Sequence, residues 1–93
     1  MSGFIVVWTD WDGGIVGPYT WDATNPDTLC AASDKDVVAM FDSRADARKA
    51  IAVSVAYAKY QLARGGVVND DFLDKNLKKV KIWQVAKKEP QKL

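Results

Sequence analysis

The pattern of hydrophobic and polar positions predicts one dominant helix that follows a strand. Residues 43–63 contain seven alanines, and Ser43, or Asp42 before it, stands where a helix N-cap is expected. Gly65 and Gly66 supply a left-handed C-cap. At 100° per residue one stripe of small and apolar side chains should face a sheet. That stripe consists of Ala47, Ile51, Ser54, Val55, Ala58 and Leu62.

Two strand patterns precede this helix at the start of the chain. Residues 4–9 are β-branched and aromatic and are apolar on both faces, as in a central strand. The Asp-Gly pair at 12–13 predicts a hairpin turn. The return strand covers 15–21, where Pro18 places it at a sheet edge or stops it near Gly17.

The remaining segments are assigned from their local signals. Asn25 followed by Pro26 predicts a single helical turn over 28–32. Residues 37–41 predict another strand, and 77–86 predict the last one, in which Ile82 beside Trp83 favours a bulge or burial on both faces.

These elements predict an α+β fold in a single domain covering 1–93, with 87–93 as a frayed tail. An antiparallel sheet of three or four strands, in β-β-β-α-β order with a short second strand, carries one long helix on one face. The other face of the sheet then has no cover. The layout of a strand, a Phe-Asp-Ser cap and an alanine-rich helix is similar to that of many small proteins of bacteria and their phages. The similarity carries no functional motif.

The composition narrows the classes of function. Histidine is absent, which removes Ser-His and Cys-His nucleophile pairs and the commonest metal ligand. The single Cys30 cannot form an internal disulfide, which favours a cytoplasmic protein, and a small buried thiol is favoured over a reactive one. No apolar run approaches the ~20 residues of a membrane span. We therefore expect a non-enzymatic protein with no cofactor, metal site or membrane segment.

The charge is divided along the chain. Residues 1–42 carry a net charge of −6, residues 43–71 carry +2 and residues 72–93 carry +5. The aspartates of the acidic part lie at predicted turns and caps, where local hydrogen bonding explains them. A small-molecule site or an enzyme that uses this Asp-rich part is the weakest of three function classes.

Two groups of apolar side chains are not explained by the predicted core. Val53, Tyr57 and Tyr60 form a second helical stripe, flanked by Ala50 and Ala56. Trp11, Tyr19 and Trp21 surround the predicted hairpin. Exposed aromatic side chains often dominate the binding energy of protein interfaces.

We therefore predict a protein-interaction module, an adaptor, regulator or phage-type inhibitor, that binds another protein or itself as a homodimer through these six residues. The alternative is a nucleic-acid-binding module that uses a basic strip near the C-terminus. That strip consists of Lys78, Lys79, Lys81 and Trp83. Nucleic acid is the less favoured partner because the strip has no arginine and the head of the chain is acidic.

Overall fold

The computed structural model describes residues 2–10, 12, 14–23, 25–33, 35–68 and 70–86. Four strands form an antiparallel sheet in the order β3-β2-β1-β4, and a long helix lies between β3 and β4 in the chain. The predicted α+β fold class is confirmed. The predicted tail 87–93 lies outside the described residues. The elements are β1 (Ser2–Thr9), β2 (Ile15–Trp21), β3 (Leu29–Ala31), α1 (Arg44–Ala63) and β4 (Val80–Ala86).

Strand β1 lies inside the sheet, as its two apolar faces predict. It pairs with β4 from Ser2 to Trp8 and with β2 from Val7 to Thr9. Val6 is fully buried in the core that β1 shares with α1. Val7 points to the opposite face because side chains alternate along a strand.

The segment 37–41, which was expected to form a strand, lies in a fork between β1 and β2. Phe41 exchanges both backbone hydrogen bonds with Phe4 of β1, at 2.9 and 2.8 Å. The amide of Ala39 donates to the carbonyl of Tyr19 in β2 at 3.0 Å. Since these bonds go to two different strands, the segment makes an isolated bridge and no continuous ladder. The strand prediction for 37–41 is therefore wrong, although Ala39 and Phe41 are buried in the core.

Strand β3 replaces the helical turn that was predicted over 28–32, so that prediction is also wrong. Its pairing satisfies the outer backbone groups of β2. Strand β2 therefore lies inside the sheet and not at the edge that Pro18 suggested. Pro18 has no backbone N–H, but the ladder between β2 and β3 loses no hydrogen bond, because this position faces Ala32, just beyond the end of β3. The Pro18 carbonyl still accepts the Ala32 amide at 3.0 Å.

Both ends of α1 are capped as predicted. The Ser43 hydroxyl accepts a hydrogen bond from the amide of Asp46 at 3.1 Å. At the other end Gly65 has a φ of 71°, which glycine adopts at little cost. The amides of Gly65 and Gly66 donate to the carbonyls of Leu62 and Gln61, at 3.1 and 2.9 Å. These two bonds form a Schellman motif.

Replacing Ser43 with alanine should lower the free energy of unfolding by about 1 kcal/mol, because the Asp46 amide loses its acceptor. Ser43→Asp keeps an acceptor at the N-cap and should retain most of the stability. Urea denaturation of the three proteins measures both effects. An unchanged urea midpoint for Ser43→Ala would show that the cap contributes nothing.

The buried face of α1 differs from the predicted stripe by a rotation of about 45°, at 100° per residue. Ala50, expected beside the outer stripe, is 6% exposed, whereas Leu62, expected in the core, is 58% exposed. A polar contact accompanies this rotation. The Ser54 hydroxyl accepts the Leu29 amide of β3 at 3.0 Å and donates to the Ala50 carbonyl at 2.8 Å. The buried face consists of Ala47, Ala50, Ser54 and Ala58.

After α1 the chain forms a 3-10 turn over Asp70–Phe72. Phe72 is 1% exposed and its ring lies 5.2 Å from that of Tyr19. The last strand was predicted to start at residue 77, but a second 3-10 turn, Leu77–Lys79, lies there. Strand β4 therefore begins at Val80. Within the described residues, no helix has both the length and the apolar character that a membrane crossing requires.

Candidate partner-binding surface

The second stripe of α1 is exposed, as its sequence position predicts. Val53, Tyr57 and Tyr60 are 39%, 36% and 52% exposed. Because α1 is rotated relative to the predicted orientation, the stripe lies on the flank of the helix, beside the loop 22–28. The side of α1 that points directly away from the sheet carries alanines such as Ala52 and Ala56. Trp21, at the end of β2, is 41% exposed on the same side of the molecule. We call Trp21, Val53, Tyr57 and Tyr60 the aromatic flank.

The two tyrosines of the aromatic flank are held by their neighbours. Their rings are stacked, with centroids 6.5 Å apart. The Tyr57 hydroxyl accepts a hydrogen bond from Gln61 at 2.5 Å. The Tyr60 hydroxyl accepts one from Arg64, whose guanidinium carbon also lies 5.2 Å from the ring centroid. These contacts reduce the rotamer freedom that the two side chains would otherwise lose on binding.

Trp21 is positioned by the fork between β1 and β2. Its ring contacts Phe41 edge-on, with centroids 5.5 Å apart and planes at 68°. This edge-to-face arrangement is one that aromatic pairs prefer. Phe41 is placed there by its bridge to Phe4, so the segment 37–41 holds the exposed ring of Trp21 in position.

Two of the open grooves along α1 lie on either side of the loop 22–28. The first, of about 500 Å³, is lined by apolar side chains with two carboxylates and one ammonium among them. The second, of about 430 Å³, begins at Tyr57 and continues past Gln61 towards Val68. The lining of the first groove is Trp21, Pro26, Asp27, Phe41, Asp46, Lys49, Ala50 and Val53.

Of the six residues predicted to bind a partner, Tyr19 is not part of this surface. Tyr19 is 0% exposed, so its assignment to an exposed hairpin surface is wrong. Its ring fills the core against Phe72 because Tyr19 lies on the α1 side of β2. Burial raises the pKa of the Tyr19 phenol, and the nearby Asp71 carboxylate raises it further. Trp11 lies outside the described residues.

The residues of the predicted basic strip divide between two faces of the sheet. The Lys79 ammonium lies 5.5 Å from the ring centroid of Trp8, which packs against the core. Lys81 pairs with Val7 and so lies on the face of the sheet opposite α1, together with Trp83. Trp83 is 40% exposed and β4 pairs with β1 in regular register, so the predicted bulge or burial on both faces is wrong at this position. Lys78 is exposed in the 3-10 turn.

The thiol of Cys30 lies in an environment that keeps it protonated. Burial raises its pKa, and the negative charges of Asp22 and Asp36 raise it further. Asp36 itself accepts hydrogen bonds from the Ser33 amide at 2.8 Å and from the Ser33 hydroxyl at 3.0 Å. These bonds lower the pKa of Asp36, so its charge persists at neutral pH.

We expect Cys30 to react with iodoacetamide more slowly in the folded protein than in the urea-unfolded chain at pH 8. The raised pKa leaves less thiolate, which is the reactive form. Asp22→Asn should increase the folded-state rate because it removes one of the negative charges. Mass spectrometry of timed samples gives the rates. A folded-state rate above the unfolded one would contradict this account.

Phe41 and Pro26 contribute to the first groove, and sequence reasoning did not select them as binding residues. The sequence pattern assigns Phe41 to a strand, and its contact with Trp21 spans a fork that local patterns do not reveal. Pro26 was assigned to a helical turn. Comparisons with protein-family models, with curated proteins and with solved structures gave no match to this chain.

Proposed function

We propose that the chain is a small non-enzymatic protein-interaction module that acts as a single domain in the cytoplasm, as an adaptor, regulator or phage-type inhibitor. The aromatic flank is its binding surface. The observation that carries the proposal is the shared groove: Trp21 and Val53, which lie far apart in the sequence, line one open apolar depression. The stacked tyrosines extend this surface along the helix.

The physical properties of the aromatic flank support this role. Tryptophan and tyrosine are the side chains most enriched among residues that dominate interface energies. Here Phe41, Gln61 and Arg64 hold the three aromatic rings of the flank in place, so these side chains lose little conformational entropy when a partner binds. A partner would insert an apolar side chain between Trp21 and Val53. Asp27, Asp46 and Lys49 would orient the polar groups around it.

A second copy of the chain is the first partner to test, since twofold dimers are the commonest soluble oligomers. In such a dimer the aromatic flank of one copy would cover that of the other. Small residues beside the stripe, Ala50 and Ala56, would allow the helices of two copies to approach closely. Ala50 is buried against the sheet and is therefore not available for this contact. Ala56, which is exposed, remains.

Sedimentation equilibrium of the wild type, Tyr57→Asp and Ala52→Asp tests self-association. Ala52 is an exposed helix position away from the aromatic flank, so it controls for the added charge and the change in helix propensity. If the flank forms the dimer, Tyr57→Asp should be monomeric at concentrations where the other two proteins dimerise. A monomeric wild type at high micromolar concentration would rule out the homodimer. A dimer that persists in Tyr57→Asp would place self-association on another surface.

A further inference from the structure

Strand β4 has one open edge. It pairs with β1 along its whole length, and no other strand of the described residues lies beside it. Such an edge presents a row of backbone donors and acceptors that a further strand can complete. The question is what chemistry this edge is suited to bind.

The hydrogen bonds of β1 show which groups of β4 point outward. The amide and carbonyl of Phe4 are hydrogen-bonded to Phe41, on the side of β1 away from β4. The pair of Phe4 with Gln84 is therefore a non-hydrogen-bonded one, and the amide and carbonyl of Gln84 point to the open edge. Those of Ile82 do the same by alternation. In agreement, the Arg44 guanidinium, which lies 5.2 Å from the Phe4 ring centroid on the α1 side, donates to the Ile82 carbonyl at 3.3 Å.

The surroundings of this edge are positively charged. From residue 75 to residue 88 the sequence has six lysines and no acidic residue. Lys81 is exposed on the face of the sheet opposite α1, and Arg44 contacts β4 on the α1 side. Trp83 stands at the midpoint of β4, on the same face as Lys81, with 40% of its surface exposed.

We propose that β4 binds an acidic, extended segment of another protein as an additional strand of the sheet. Backbone hydrogen bonds to Ile82 and Gln84 hold the segment. An apolar side chain of the segment covers Trp83, and its carboxylates pair with Lys81 on one face and with Arg44 on the other. Arg44 then exchanges its contact with the neutral Ile82 carbonyl for one with a carboxylate, in which both partners are ionised. This second surface is separate from the aromatic flank and does not depend on it.

The charges favour this occupant over a second copy of the chain. An antiparallel pairing of two β4 strands along their full length places Trp83 on the twofold axis. It also brings together two copies of a basic segment, since residues 72–93 carry a net charge of +5. Repulsion between the two segments of like charge opposes this pairing.

The backbone favours a peptide over a nucleic acid. The open edge offers alternating N–H and C=O groups, which another peptide backbone complements. Phosphate groups offer acceptors and no donors. The Lys79 ammonium, moreover, is engaged with the ring of Trp8 on the other face of the sheet.

The test uses a short synthetic peptide of alternating threonine and valine with glutamates near both ends. Two matched peptides carry lysines in place of the glutamates, or N-methyl groups on alternate residues that block one edge. The amide signals of Ile82 and Gln84 report binding in NMR titrations. We expect the acidic peptide to bind about tenfold more tightly than the basic one, since two or three weak ion pairs supply a factor of this size. N-methylation should abolish binding.

Three protein variants locate the site. Gln84→Pro removes an outward N–H that the β1 ladder does not use, so the variant should fold and lose the peptide. Lys81→Glu should weaken binding of the acidic peptide, whereas Lys35→Glu, at an exposed position away from β4, should not.

Several outcomes would overturn the proposal. These are equal affinity for both charged peptides, tolerance of N-methylation, no binding at millimolar peptide, or displacement of the peptide by single-stranded DNA at the same amides. Concentration-dependent shifts of the Ile82 and Gln84 amides in the protein alone would instead assign the edge to a second copy. Circular dichroism of Gln84→Pro separates lost binding from lost folding. If that variant is unfolded, the N-methylated peptide still decides the question.

Discussion

Phe72→Ala should lower the free energy of unfolding by about 3–5 kcal/mol, the usual cost of removing a buried aromatic ring. Phe72 is 1% exposed and packs against Tyr19, and its 3-10 turn lies against α1. At about 0.05–0.15 kcal/mol per residue, a chain of this length has a total stability of roughly 5–14 kcal/mol. The substitution should therefore remove a large share of the total.

Urea denaturation of the wild type, Phe72→Ala and Leu62→Ala measures this effect. Leu62 is 58% exposed, so its truncation should cost less than about 1 kcal/mol. The sequence pattern places Leu62 in the core, so the pair of variants distinguishes that pattern from the structure. Equal losses in both variants, or a wild-type midpoint for Phe72→Ala, would contradict the described packing.

The second large effect is expected for Ala47→Leu, which should cost about 1–3 kcal/mol through overpacking. Ala47 is 0% exposed, and the buried face of α1 consists of alanines and one serine. A leucine there would have to push α1 away from the sheet. The change also weakens the support of the aromatic flank, because α1 carries three of its four residues.

Ala52→Leu is the matched control for this substitution. Ala52 is exposed on the same helix, and leucine and alanine have similar helix propensities, so the change should be nearly neutral. Thermal denaturation of both variants provides the comparison. A stable Ala47→Leu would show that α1 does not pack closely on the sheet through this face.

The elements with local signals could be predicted from the sequence. Ser43 and Gly65 mark the ends of α1 because caps act within a few residues, and β1 is recognisable from its two apolar faces. The segments 28–32 and 37–41 could not be assigned locally. Their conformations depend on which backbone groups of β1 and β2 are left to be paired, and that is a property of the assembled sheet.

The candidate surface divides in the same way. The i, i+4, i+7 spacing of Val53, Tyr57 and Tyr60 identifies an exposed stripe without knowledge of the fold. Tyr19 and Trp21 lie two positions apart on one strand, so periodicity alone assigns both to the same face. Tyr19 is buried under α1 and Phe72, whereas Trp21 lies beyond the covered region, at the mouth of the fork.

Quantitative affinity capture from an extract of the cells that naturally produce the protein tests the proposed role of the aromatic flank most directly. The wild type, Tyr57→Asp and Ala52→Asp would be compared as equally loaded, tagged baits, with the untagged chain present in the extract. The account predicts that the wild type and Ala52→Asp retain at least one protein, a partner or the untagged chain, in comparable amounts. Tyr57→Asp should retain about tenfold less of it, as expected for the loss of an interface residue worth more than 1 kcal/mol. Equal retention by all three baits, or no retained protein with the wild type, would contradict it.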